Sequence, residues 1–271
     1  MAHEIQLNID VTRLVSIVDA AVVTSSEIVN FHFNALRGAD LSKSPEPNGV
    51  IHIFRGAELT PEQRRSMHEN WLLGKAFQEL LRAVRHALEE AHIYIALLTK
   101  KYRVSSSATL SDFLKPFASK AQSLKFPDLL AAVNERLDPK LEFAEAYRSL
   151  QTARNCLEHR QGIVTKIEAH SGDSFVLSIP RLKVFYMRGT DEVEIQPCHV
   201  VDSGDNRSDV ALMMKLDVRH RSVPLGTPLT FTLAEFNEIA FACHFLGEQL
   251  SSRLPKLAAG ASNTPVLAQP G

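Results

Sequence analysis

The chain predicts an α+β fold, mainly α: an antiparallel helical bundle with a small antiparallel β-sheet inserted before the last helix. Three observations carry this. Apolar residues recur at helical spacing through residues 1–160, short alternating runs separated by turn signals follow over 161–232, and helical spacing returns over 233–254.

In residues 11–36, Leu14, Ile17, Val18, Ala21, Val22, Ile28 and Phe31 fall at helical spacing, and Arg37-Gly38 supplies a stop. Residues 40–49 turn to Ser, Pro, Asn and Gly and read as a loop. Helix resumes at Thr60-Pro61-Glu62-Gln63. Thr60 can cap, Pro61 suits the first helical position, and Gln63 completes a capping-box spacing. That run extends to about Tyr102 as the spine of the bundle, with Gly74 as a candidate kink. Shorter helices are expected over 110–123 and 127–136, before Asp138-Pro139 opens another at about Lys140.

Beyond Gly162, strands are expected at 163–167, 175–187, 193–195, 210–218 and 229–231. Thr230 or Thr232 can cap a last helix whose stripe of Leu233, Phe236, Ile239, Cys243, Leu246 and Leu250 should pack onto the bundle. The tail, 255–271, is small, polar and Pro-containing and reads as disordered.

With 271 residues, 45% of them hydrophobic, the chain can bury a substantial core. Thirty basic against 31 acidic residues leave no global positive field, so any contact with nucleic acid must be local. Cys156, Cys198 and Cys243 are odd in number and widely spaced, which speaks against a disulfide framework or a zinc site and fits a reducing cytoplasm. The apolar stretch 14–23 is interrupted by Asp19 and flanked by Arg13, and it is short for a membrane span. No membrane partner is expected.

The chemically richest stretch is Ala153-Arg154-Asn155-Cys156-Leu157-Glu158-His159-Arg160, closing a helical run and followed by Gln161-Gly162-Ile163-Val164. Arg can hold a phosphate through a planar fork of charge-assisted hydrogen bonds, and His exchanges protons near neutral pH. Together they suit metal-free phosphodiester chemistry. On an ideal helix Arg154 falls within the apolar stripe of Phe143, Tyr147, Leu150 and Leu157, so its charge calls for an acid, a buried stem or a wet interface. Glu158, one turn on, is a partner in reach. His159 lies roughly 140° around from Arg154, so convergence needs a change of geometry, from a left-handed Gly162 or a second chain docked across the seam. Asn155, one turn before His159, can orient the imidazole.

These words resemble the signature of the HEPN superfamily, an Arg followed by a polar residue and then a His. The likeness is specific over about a dozen residues and architectural over roughly 60–160 and the last helix. Members are helical bundles that commonly dimerise to bring two motifs into one cleft, and many are metal-independent ribonucleases acting as toxins or in defence against phage. The resemblance therefore implies RNA as substrate, a homodimer, no cofactor, and room for an antitoxin protein as partner. It assigns Arg154 to the scissile phosphate and its developing charge, and His159 to general base or acid catalysis of attack by the ribose 2′-hydroxyl. Asn155 would orient His159 or the substrate, with Glu158 and Arg160 in support. The alternative is a catalytically inactive HEPN-like module that binds RNA, a nucleotide or a protein.

Other motifs are weaker. A second loose match, Arg85 with His92, lies inside the long helix and reads as exposed polar surface, as do the acid pairs Glu89-Glu90 and Asp191-Glu192. The basic run 100–125, including Lys115, Lys120 and Lys125, reads as a solvated face. His170, His199 and His220 fall near strand ends and could gather around a metal, yet isolated loop histidines are mostly polar surface, and no metal is expected.

Overall fold

The computed structural model describes residues 10–43, 57–99, 109–169, 172–195 and 211–255. Among these the order is α1 (Thr12–Gly38), α2 (Pro61–Thr99), α3 (Leu110–Ser123), α4 (Phe126–Asn134), α5 (Ala144–His159), α6 (Lys166–Ala169), β1 (Ser174–Arg188), β2 (Asp191–Glu194), β3 (Met213–Pro224) and α7 (Leu233–Arg253). The fold is mainly helical with one small antiparallel sheet in the order β2-β1-β3. The tail lies outside the described residues apart from Pro255, whose carbonyl accepts from the Tyr94 hydroxyl.

α1, α2 and α7 pack on one another, so the last helix does return to the bundle. Their inner faces supply Leu14, Val18, Phe77, Leu80, Phe236 and Leu246 to a core that continues into α4, α5 and β1. α2 runs unbroken through Gly74. Its start follows the capping box: Gln63 N–H donates to Thr60 Oγ1 at 3.3 Å, and Thr60 N–H to Gln63 Oε1 at 3.0 Å. Thr232 and Glu235 cap α7 in the same reciprocal way. α1 contains an 18-residue window of mean hydropathy 1.5, 22% of it buried, so by length and composition the whole helix could cross a bilayer although the stretch 14–23 alone is too short.

Four expectations are corrected. α5 opens at Ala144, not Lys140, because Phe143 is left-handed with φ 62° and because side chains from elsewhere take the preceding amides: Leu141 N–H donates to Asn134 Oδ1 and Glu142 N–H to Gln249 Oε1. Residues 163–167 form no strand; Ile163 makes an isolated bridge to Pro228, and α6 begins at Lys166. Residues 229–231 are likewise irregular, their apolar character serving the core, where Leu229 and Phe231 are buried. The strand expected at 210–218 runs instead as β3, continuing through Arg219 and Arg221 because both arginines are held by acids of α7, Glu238 and Glu235.

Candidate active site

α5 is anchored by Tyr147, Leu150, Ala153 and Cys156, all fully buried. The Tyr147 hydroxyl donates to the Ala242 carbonyl of α7 at 2.8 Å, which fixes the helix rotation about its axis. One flank of the helix then faces a cleft of about 810 Å³ between α4, α5 and β1. Arg154 and Asn155 line it.

Arg154 is 18% exposed at its side chain and meets the 20% exposed Glu158 at 2.7 Å. Its stem is buried and its head is paired one turn on, but Nε is buried without a hydrogen-bond partner among the described residues. The second oxygen of Glu158 lies 3.9 Å from Nε2 of His159. One carboxylate therefore stands between the guanidinium and the imidazole. His159 itself is 66% exposed and does not line the cleft.

The chain leaves α5 through two left-handed residues, Gln161 at φ 53° and Gly162 at φ 77°. The Cys156 carbonyl accepts from both Arg160 N–H and Gly162 N–H, at 3.0 and 3.1 Å. Only glycine takes φ 77° without strain, and a Cβ there would also come within 3.2 Å of Leu157 Cδ2. At this turn Arg160, which does not line the cleft, forms an ion pair with Glu168, which does and whose carboxylate is completely buried. The Glu168 carboxylate accepts from Thr165 N–H and Oγ1 at 2.8 and 2.7 Å. Burial alone would raise its pKa, but the Thr165 bonds and then Arg160 outweigh it and hold the group below its ordinary value.

Asn155 does not orient His159 in this chain. Its Oδ1 accepts from Gln151 Nε2 at 2.9 Å, because Gln151 sits one turn back on the cleft side while His159 points to solvent. The structure thus brings Arg154 to Glu158 and Glu158 to His159, places Asn155 in the cleft, and pairs Arg160 with Glu168 of the cleft lining.

The cleft also holds residues from distant parts of the chain. Arg85 lines it, tied to Glu89 at 2.8 Å and to the carbonyls of Gln122 and Leu124 at the end of α3. Neither Arg85 nor Glu89 is the free polar surface expected for it. His92 is not in the lining; burial, and then Lys120, lower its pKa. Lys125 reaches the cleft, as do Arg148 and Gln151 from the first two turns of α5. Sequence reasoning passed over Arg148 and Gln151, although the spacing of Arg148, Gln151 and Asn155 marks one polar stripe. Asp191 and Glu192 are both exposed, as expected, and Glu192 also accepts from Lys183 and Lys215. The His220 ring bonds Ser178 Oγ, His170 and His199 lie outside the described residues, and among the described residues no cluster of His, Cys, Asp or Glu could hold a metal ion.

No protein-family model, no curated protein and no solved structure matches this chain.

Proposed function

We propose that this protein is a metal-independent endoribonuclease whose working groups are Arg154 and His159. The observation that carries the reading is the carboxylate of Glu158 linking a cleft-lining guanidinium to an exposed imidazole at the end of the same helix. Arg154 would exchange Glu158 for the scissile phosphate, a swap of one anionic partner for another that its planar donor fork favours. Neutral His159 would take the proton of the ribose 2′-hydroxyl as that oxygen attacks phosphorus. The bond to the 5′-oxygen breaks, a protonated imidazole returns a proton to that oxygen, and the products are a cyclic phosphate and a 5′-hydroxyl end. Two roles for one imidazole type are served most simply by a homodimer that opposes two α5 ends, and the exposure of His159 leaves it available to a second copy. The HEPN resemblance supports this reading, and with it a cytoplasmic toxin or phage-defence role.

A second reading has an observation of its own. His159 lies outside the cleft lining, so a catalytically silent module that binds RNA through Arg154 alone would have the same cleft. Labelled RNA incubated with the protein in EDTA separates the two. Cleavage by the parent that drops at least about 100-fold in both Arg154→Ala and His159→Ala, with circular dichroism unchanged, is the expected result. Absence of cleavage across varied RNAs, or equal cleavage by all three proteins, would sink the nuclease reading.

A further inference from the structure

Beside the Arg154–Glu158 pair, the cleft carries polar atoms that the fold itself does not use. Gln151 is 6% exposed and lines the cleft, yet its Oε1 has no hydrogen-bond partner among the described residues, its Nε2 being spent on Asn155. The Nε atoms of Arg148 and Arg154 are buried and unpartnered in the same way. Buried donors and acceptors are normally matched, and unmatched Nε atoms recur at Arg64, Arg160 and Arg221 away from this cleft, so it is Gln151 Oε1, buried among these cations on the cleft side of α5, that points to an external partner.

The chemistry of the unmatched atoms limits what that partner is. Two arginine donors call for anionic oxygens. Gln151 Oε1 is an acceptor, and no oxyanion can satisfy it; it needs a hydroxyl or amine close to the anion. A ribonucleotide backbone supplies both, through its phosphate and its 2′-hydroxyl. The cations can respond. Lys125 has no acid partner among the described residues, and the carboxylate holding Arg148, Glu145, is 81% exposed, so that i,i+3 pair is readily exchanged. Arg148 and Arg154 are six residues apart on α5, about 9 Å along its axis, and His159 lies a further ~7.5 Å on. An extended strand laid along α5 would therefore meet Arg148 and then Arg154 in the cleft, and His159 only where it passes around the end of the helix.

We propose that the cleft along α5 is a second backbone subsite for single-stranded RNA, in which Arg148 and Lys125 bind a phosphate next to the one at Arg154 and Gln151 accepts from a ribose 2′-hydroxyl. This rests on the nuclease reading for its direction along the strand, but not for binding itself.

The test uses the full chain in a His159→Ala background, so that binding is measured without cleavage, with a fluorescent RNA decamer and the DNA decamer of the same sequence. Lys125→Ala with Arg148→Ala should weaken RNA binding at least about tenfold and reduce the slope of log affinity against log salt by about 0.7, the value for one lost single-strand phosphate. Gln151→Leu should narrow the preference for RNA over DNA. Glu145→Gln should tighten binding about threefold, a gain that misfolding cannot produce. Unchanged affinity and slope in the double variant, or a loss of affinity without a change in slope, overturns the subsite. Inorganic phosphate competing equally against the parent and Gln151→Leu, with no RNA preference in either, overturns the ribose contact. If the parent never cleaves RNA while these binding effects appear, the nuclease reading fails and the subsite stands.

Discussion

Two arginines in this molecule sit in apolar settings and are treated in opposite ways. Arg181, on β1, is 7% exposed and every one of its guanidinium nitrogens has an acid: Nε and one terminal nitrogen reach Asp217 Oδ2 at 3.1 and 2.8 Å, and both terminal nitrogens reach Glu194 at 2.6 and 3.0 Å. Glu238 of α7 lies 3.5 Å away. Arg154, on α5, has one acid and an unmatched Nε. Asp217 is the cross-strand neighbour of Arg181, so the first constellation is built from sheet register and closes on itself, tying three strands to α7. The second is built from one helical turn and stays open toward a cleft. A saturated guanidinium holds the fold together, whereas an under-coordinated one beside a cavity keeps binding capacity in reserve.

The sharpest test of that contrast is stability. Arg181→Ala removes an almost completely buried guanidinium that serves Glu194, Asp217 and Glu238 at once, leaving Glu194 with Arg219 and Asp217 without a guanidinium, and breaking such a network costs about 3 kcal/mol. For a chain of this size that corresponds to a fall in Tm of roughly 6–12 °C. Arg154→Ala breaks a single i,i+4 pair within one helix and should cost at most about 1 kcal/mol. Thermal unfolding of the two variants side by side decides it; comparable losses would mean that Arg154 is as structural as Arg181.

The difference in how the two sites are built also explains what could be read from sequence. Arg154 with Glu158, Thr60 with Gln63 and Thr232 with Glu235 are pairs three or four residues apart, and helix geometry alone brings them together. The motif and the helix starts were legible for that reason. The start of α5 was not, since it depends on a left-handed Phe143 and on amide partners from Asn134 and from Gln249, more than a hundred residues away. The apolar runs around Ile163 and Leu229 imitate strands because core residues in irregular backbone carry the same composition as strand residues; only the absence of a ladder partner distinguishes them. The sequence pattern places β3 too early because its second half alternates arginines with His220 and Ser222, and the acids that hold those arginines lie on α7. Arg85 and Lys125 reach the cleft through the packing of α2 and α4 against α5, which no local spacing encodes.

If Glu158 reserves Arg154 for a phosphate, neutralising it should release the guanidinium. Glu158→Gln keeps the shape and one acceptor oxygen but removes the charge that competes with an incoming anion. Isothermal titration with inorganic phosphate should show binding up to about tenfold tighter than in the parent, equivalent to ~1.4 kcal/mol. Weaker binding would reverse the assignment, making Glu158 the residue that holds Arg154 in place for its ligand. Arg181 offers the matching control: Glu194→Gln should not create phosphate affinity there, because Asp217 and Glu238 still surround the guanidinium.

The smallest effect separates the two regions by pH. The carboxyls that face arginines at both sites are depressed on folding, Glu168 from an ordinary 4.5 and Asp217 from 3.8; in each, burial pushes upward and is outweighed by hydrogen bonds, from Thr165 and from Arg181 respectively. A depressed carboxyl binds fewer protons folded than unfolded, so its contribution is complete above the unfolded value and is lost as pH falls through the folded one. Acidification should therefore begin to weaken the turn beneath α5 just below pH 4.5, where the Arg160–Glu168 pair anchors it, and the sheet only below about 3.8. Glu168→Gln should flatten the upper part of the Tm-against-pH curve, and Asp217→Asn only its lower part. Identical curves for both variants would mean that the two arginine sites unfold as one unit, and that the openness of the α5 end is not matched by a separate local stability.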